Sequence, residues 1–156
     1  MMSSVDIKSM ELYLDVDRIW ADMKELGYER KSDLNVDSTA LNKYDCYNYG
    51  GVASAQNAAD RLGLNKSSLV LDVGSGIGGP ARCIANYCGA KIDGIEYQED
   101  LAKLANELNS RCNLSDKVQV FEGSILSKDI PPMSNAVSKY DSAISFLVIL
   151  HIALKV

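Results

Sequence analysis

The run Val70-Leu71-Asp72-Val73-Gly74-Ser75-Gly76-Ile77-Gly78-Gly79-Pro80-Ala81-Arg82 constrains this chain more than any other stretch. Leu69–Val73 is short, leucine-rich and β-branched, the composition of a strand. Glycines follow at once, and Pro80 falls where the first turn of a helix tolerates a missing N–H. A strand feeding a glycine turn that opens a helix lets backbone approach a ligand where a Cβ would clash. The alternation then continues. Pro80–Cys88 reads as a helix closed by Gly89, and Lys91–Glu96 as a second strand. Gln98–Cys112 follows as a helix with Leu101, Leu104, Ala105, Leu108 and Cys112 on its apolar face, and Val118–Phe121 as a third strand. After a looser stretch holding Pro131-Pro132, Tyr140–Leu150 reads as a fourth, strongly apolar strand. Strands and helices in this order predict parallel strands joined by right-handed crossovers, an α/β doubly wound sheet.

Upstream the pattern is helical. Leu12, Val16, Ile19, Trp20, Met23 and Leu26 recur at helical spacing, with Gly27 placed as a C-terminal cap. That stripe reads as a packing face. A polar stretch, Glu29–Asp33, leads to a second element around Val36–Leu41. Asn42–Gly51 is loop-like, with Tyr44, Tyr47 and Tyr49 ahead of Gly50-Gly51, and a short helix, Val52–Leu62, closes at Gly63. The chain therefore divides into an N-terminal helical segment with its tyrosine loop, residues 1–63, and a sheet core, residues 64–156.

Bulk properties narrow the partners. At 156 residues the chain is long enough for one domain with a buried core. A net charge of −5 without a lysine or arginine stripe argues against a nucleic-acid partner. Cys46, Cys83, Cys88 and Cys112 show neither a CxxC pair nor zinc spacing, and His151, the single histidine, cannot build a metal site alone. Reduced cysteines acting as small core residues are expected. The N-terminus lacks the basic segment and apolar run of a signal peptide, and Ala143–Val156 is too short to span a bilayer. A cytoplasmic protein without membrane insertion is expected.

The glycine turn admits two cofactors. Gly74, Gly76 and Gly79 fit GxGxxG, the dinucleotide fingerprint, which alone is a weak signal. Asp72, however, lies in the strand two residues before the first glycine, where a carboxylate would repel a pyrophosphate. It suits an ammonium and a sulfonium instead. The turn also follows some sixty residues of helical preamble. Both features favour S-adenosyl-L-methionine (SAM) over NAD. Glu96, 22 residues after Gly74 at the end of the second strand, can accept the ribose hydroxyls of either ligand. Tyr97 and Gln98 are placed to line the adenosine edge. Ser124, after the third strand, is a candidate for the adenine amino group and Ile125 for a wall under the ring; a simple turn accounts for Gly123-Ser124 equally well.

VLDVGSGIGGPAR resembles motif I of class I SAM-dependent methyltransferases, with the nearest likeness to the small-molecule sterol, phosphoethanolamine and glycine/sarcosine enzymes. GIEYQEDLAKLANELNSRC is similar to their second strand and helix, YDSAISFLVILHI to their fourth strand, and YDCYNYGG to the segment they fold over the cofactor. These matches run from Leu41 to Ile152. The resemblance implies a Rossmann-like sheet of order 3-2-1-4, partial because the family fold has seven strands. It implies that Asp72, Gly74, Ser75, Gly76 and Gly78 hold the amino-acid end of SAM. Glu96 would bind the ribose, Ser124 and Ile125 the adenine, and Tyr49 would close over the cofactor. Ser124 stands where the family usually has an aspartate. In phosphobase methyltransferases a histidine past the fourth strand works with an N-terminal tyrosine on the acceptor, which implies His151 with Tyr47 or Tyr49.

Methyl transfer is an in-line displacement, so a protein mainly positions the acceptor and removes its proton, work suited to a histidine. The expectation is methyl transfer to a small-molecule acceptor. The alternative is a catalytically silent SAM-binding fragment or pseudoenzyme, and an NAD-binding module is the third reading. An apolar fourth strand at the sheet edge is expected to pair with a second copy or a partner.

Overall fold

A computed structural model of the chain describes residues 16–30, 34–127, 139–149 and 152. Helix α1 spans Val16–Glu25, α2 Ser38–Asp45 and α3 Gly51–Arg61. Strand β1, Leu69–Val73, then alternates with α4 (Gly79–Cys88), β2 (Lys91–Glu96), α5 (Glu99–Arg111), β3 (Val118–Glu122) and β4 (Ser142–Ile144). All strand pairs are parallel, and the sheet order is β3-β2-β1-β4. The chain moves outward from β1 to β3 and returns on the far side of β1. That reversal is the topological switch point at which open α/β sheets bind ligands, beyond the C-terminal ends of their strands.

Register explains where the core lies. Val70, Ile92 and Val118 stand side by side on one face, as do Asp72, Gly94 and Val120 one pleat further on. The first row packs against Ala81, Ile84 and Ala85 of α4 and Ala55 and Ala59 of α3; Val120 packs against Ala102 and Ala105 of α5. A second cluster joins Ile19, Trp20 and Met23 of α1 and Leu41 of α2 to Leu101, Leu104 and Leu108 of α5 and Ile77 of the glycine turn. The opposite face carries Leu71 and Ile95, packed with Val73, Ile125 and Tyr140. Its Asp93 receives the Tyr140 hydroxyl at 2.8 Å and the Lys139 ammonium at 3.0 Å. The cysteines serve as small packing residues: Cys83 lies in the sheet–helix core, Cys46 and Cys88 against it, and Cys112 against the α1–α5 cluster.

Two elements differ from the sequence expectation. Helix α2 runs to Asp45, so Tyr44 is helical rather than in the loop. Asp37 caps it by accepting the Thr39 N–H at 2.9 Å, and burial of Leu41 fixes its inner face. The fourth strand is far shorter than the expected Tyr140–Leu150. It ends at Ile144, and Leu147 adopts a left-handed φ of 63° that no strand continues through. Apolar composition marked the stretch as buried strand, but its second half instead covers the glycine turn: a Cβ on Gly74 would collide with Val148. Leu12, the Pro131-Pro132 stretch and His151 lie outside the described residues.

Candidate functional site

The loops after β1, β2, β3 and β4 converge with the segment between α2 and α3 around a cleft of about 620 Å³. From the core it takes Asp72, Gly74, Ser75, Gly76, Glu96, Tyr97, Gln98, Ser124 and Ile125, and from the N-terminal segment Tyr47 and Tyr49. Ten of the sequence-predicted cofactor residues thus share one cavity. Gly78 stands apart from this lining. It caps α4 in a left-handed conformation, and a Cβ there would press on the Arg82 guanidinium and meet Ala105 and Asn109 of α5.

The turn is built on β2. Gly74 and Ser75 donate their backbone N–H groups to the Ile95 carbonyl at 2.8 and 3.0 Å. Gly76 donates to Glu96 Oε2 at 2.8 Å, and Gln98 donates to Glu96 Oε1 at 2.9 Å. Gly74 and Gly76 both adopt positive φ, which a side chain would strain. Gly94 is needed for a second reason: a Cβ there would strike the Ser75 side chain, which tucks over β2. A glycine inside a predicted strand was the available signal for that close approach.

Two carboxylates define the electrostatics. Asp72 is only 2% exposed, and no basic side chain among the described residues pairs with it. Burial pushes its pKa up to about 7; the Ser75 hydroxyl opposes the shift and the nearby Glu96 charge adds to it. Glu96 is raised as well, burial outweighing the N–H groups of Gln98, Gly76 and Tyr97. A buried, unpaired carboxylate is costly unless something positive meets it. Glu96, held at both oxygens by backbone, keeps lone pairs for a ribose diol. The pair of acids thus fits a cationic nucleoside and disfavours a pyrophosphate.

The facing wall comes from the N-terminal segment. Tyr49 is 86% exposed and stands at the rim, while Asp45 and Asn48 are buried in the wall. Burial raises the pKa of Tyr47, with Asp22 and Asp45 adding and Arg18 opposing, which places these charges around one phenol. A buried ion pair ties the wall to the core: Arg82 donates to Asp45 Oδ2 at 2.8 Å and to Asn109 Oδ1 at 2.8 Å. Asn109 in turn donates to the Val118 carbonyl at 3.0 Å, so α2, α4, α5 and β3 share one network. Arg82 closes the glycine motif, where its sequence position assigns it no task, and Arg18, Asp45 and Asn48 also line the cleft. Nothing in their spacing marks them, because they meet the site only through tertiary packing.

Comparison with known proteins agrees with this geometry. A family model described as "Histone methylation protein DOT1" matches residues 31–123, more than half of the chain. Sterol 24-C-methyltransferase of Eremothecium gossypii is 34% identical over 73 residues, covering 47% of this chain and 20% of that protein. Phosphoethanolamine N-methyltransferase of Plasmodium falciparum is 31% identical over 106 residues, covering 68% of this chain and 37% of that protein. The chain thus spans well under half the length of these relatives. The solved structure of a Methanococcus maripaludis protein classed with the SAM-dependent methyltransferases superposes with a TM-score of 0.60 at 18% identity, over 80% of this chain and 55% of that one. It shows the shared fold. The family match ends at Gly123, after β3, and so embraces the glycine turn, Glu96 and the α2–α3 wall. On these grounds the chain belongs to the DOT1 methylation-protein family, within the class I SAM-dependent methyltransferases.

Proposed function

We propose that this chain binds SAM in the cleft and serves methyl transfer to a small-molecule acceptor. The observation that carries the reading is Asp72, a buried carboxylate with no cationic partner among the described residues, beside a Glu96 fixed at the strand end. Glu96 would hold the ribose, Asp72 and the Gly74–Gly76 backbone the amino-acid end, and Ser124 and Ile125 the adenine, with Tyr97 and Gln98 along its edge. SAM supplies a methyl group already activated on its sulfonium. The chain's own task is then to fix the acceptor in line, to exclude water and to accept a proton. Tyr49, at the rim, would close over the site, and His151 would take the acceptor's proton. Residues 1–63 act as cover and residues 64–156 as cofactor core.

The relatives named for sterol and phosphoethanolamine methylation support a small-molecule acceptor over a protein tail. A second reading is SAM binding without turnover: the family match takes in the glycine turn and Glu96 but ends at Gly123, ahead of His151. Among the described residues no helix is long and apolar enough to cross a membrane; the cytoplasm is the compartment proposed. The β4 edge, with Ala143 exposed, would be completed by a strand from a second copy or a partner. Incubation with methyl-labelled SAM and a panel of amine, phosphobase, sterol and carboxylate acceptors tests the activity. Label transfer that His151→Ala reduces at least tenfold supports it; binding of SAM without transfer to any acceptor would favour the second reading.

A further inference from the structure

Two oxygen atoms in the N-terminal wall have no hydrogen-bond partner: Asp45 Oδ1 and Asn48 Oδ1. Their residues are only 5% and 8% exposed, and both line the cleft. Each side chain is held by its other end. Asp45 Oδ2 accepts from Arg82 at 2.8 Å, and Asn48 Nδ2 donates to the Gly51 carbonyl at 3.0 Å. Fixed orientation therefore leaves one free acceptor on each. Buried acceptors without donors are uncommon, and their burial is unfavourable until a donor arrives.

Position selects the donor. Asp45 packs on Gly79, the first residue of α4, so closely that a Cβ there would collide with the Asp45 backbone. It thus sits beside the helix that the glycine turn opens, away from Ser124 and Ile125 beyond β3. Glu96 at the end of β2 lies between these two ends of the cleft. A nucleoside whose ribose meets Glu96 and whose base lies toward Ser124 sends its 5′ substituent toward Asp45 and Asn48. In SAM that substituent ends in an α-ammonium, which offers three N–H donors.

Resting on the cofactor reading above, we propose that Asp45 and Asn48 form the ammonium-binding half of the cofactor site, accepting N–H donors from the amino-acid end of SAM across the cleft from Asp72. The wall then recognises the amino acid as well as covering it, and the Arg82 ion pair is what aims Asp45. The consequence is selectivity between ligands that share the nucleoside: a thioether nucleoside without the amino acid gains nothing from either oxygen.

The test is a calorimetric titration of the full chain with S-adenosylhomocysteine and with 5′-methylthioadenosine. Wild type is compared with Asn48→Ala and Asp45→Asn, each checked by thermal melting. Asp45→Asn keeps an oxygen for Arg82 and puts an N–H donor where Oδ1 stood. The expected result is at least a tenfold loss of S-adenosylhomocysteine affinity in each variant, with 5′-methylthioadenosine affinity held within twofold. Equal losses for both ligands would assign the two residues a purely structural role and overturn the proposal, as would unchanged S-adenosylhomocysteine affinity. Wild type that binds neither ligand would sink the cofactor reading itself and the subsite with it.

Discussion

The two walls of the cleft are built by opposite means. The glycine-turn wall is backbone: Gly74, Ser75, Gly76 and Gln98 are fixed by N–H bonds to Ile95 and Glu96. The facing wall is side chain, the end of α2 pinned by Arg82 through one buried ion pair of 1% and 2% side-chain exposure. A backbone wall leaves a pattern in the sequence because only glycine serves at its turns. A side-chain wall leaves almost none, since its partners stand 37 residues apart. The contrast also sets what each wall tolerates.

The largest effect is expected at the pin. Arg82→Met leaves Asp45 buried without its cation and should destabilise the fold by about 3–5 kcal/mol, read as a shift in the urea midpoint. A loss below about 1 kcal/mol would mean that the wall is held by something else. Next comes Asp72, through pH. Its pKa is raised from 3.8 unfolded to about 7 folded, so the native state binds the proton more tightly. The stability it contributes is complete below about pH 4 and is lost as pH rises to about 7, by on the order of 2–4 kcal/mol. Glu96 shifts in the same direction. Asp72→Asn should therefore raise the melting temperature of the ligand-free chain at pH 8 and leave it nearly unchanged at pH 4. A variant less stable at both would contradict the assignment of Asp72 as an unpaired buried charge.

Smaller effects test the turn and the rim. Gly74→Ala puts a Cβ at φ 74° and into Val148, and should lower stability by about 1–3 kcal/mol in denaturant melts. Should it prove neutral, the segment after β4 does not rest on the turn. Tyr49→Ala, at an exposed rim, should change stability by less than about 0.5 kcal/mol while weakening SAM binding a few-fold. An equally small effect on binding would remove Tyr49 from the cover.

How much of this was legible in the sequence follows the same division. Strands β1, β2 and β3 and helices α4 and α5 fell within a residue or so of expectation, because glycine, proline and apolar periodicity act locally there. The sheet order came from the resemblance, and the cleft gathered the acids and the turn that local pattern had singled out. The Tyr140–Leu150 run reads as one strand in sequence because hydrophobicity reports burial rather than conformation; in the structure Leu147 turns left-handed and Val148 covers Gly74 instead of extending β4. Asp45, Asn48 and Arg18 leave no mark, because a polar residue near a helix end or in a connecting loop looks the same in sequence whether it meets solvent or a cleft. Gly78 belongs to the same motif but does not line the cleft, and a Cβ there would meet Arg82, Ala105 and Asn109.

Whether the two walls enclose one site for a cationic nucleoside is decided by calorimetric titration of the chain with SAM at pH 8, alongside Asp72→Ala. Saturable one-to-one binding is expected, which the substitution weakens by about a hundredfold or abolishes. A folded wild-type chain that gives no heat with SAM, or binds it equally well without Asp72, would contradict it.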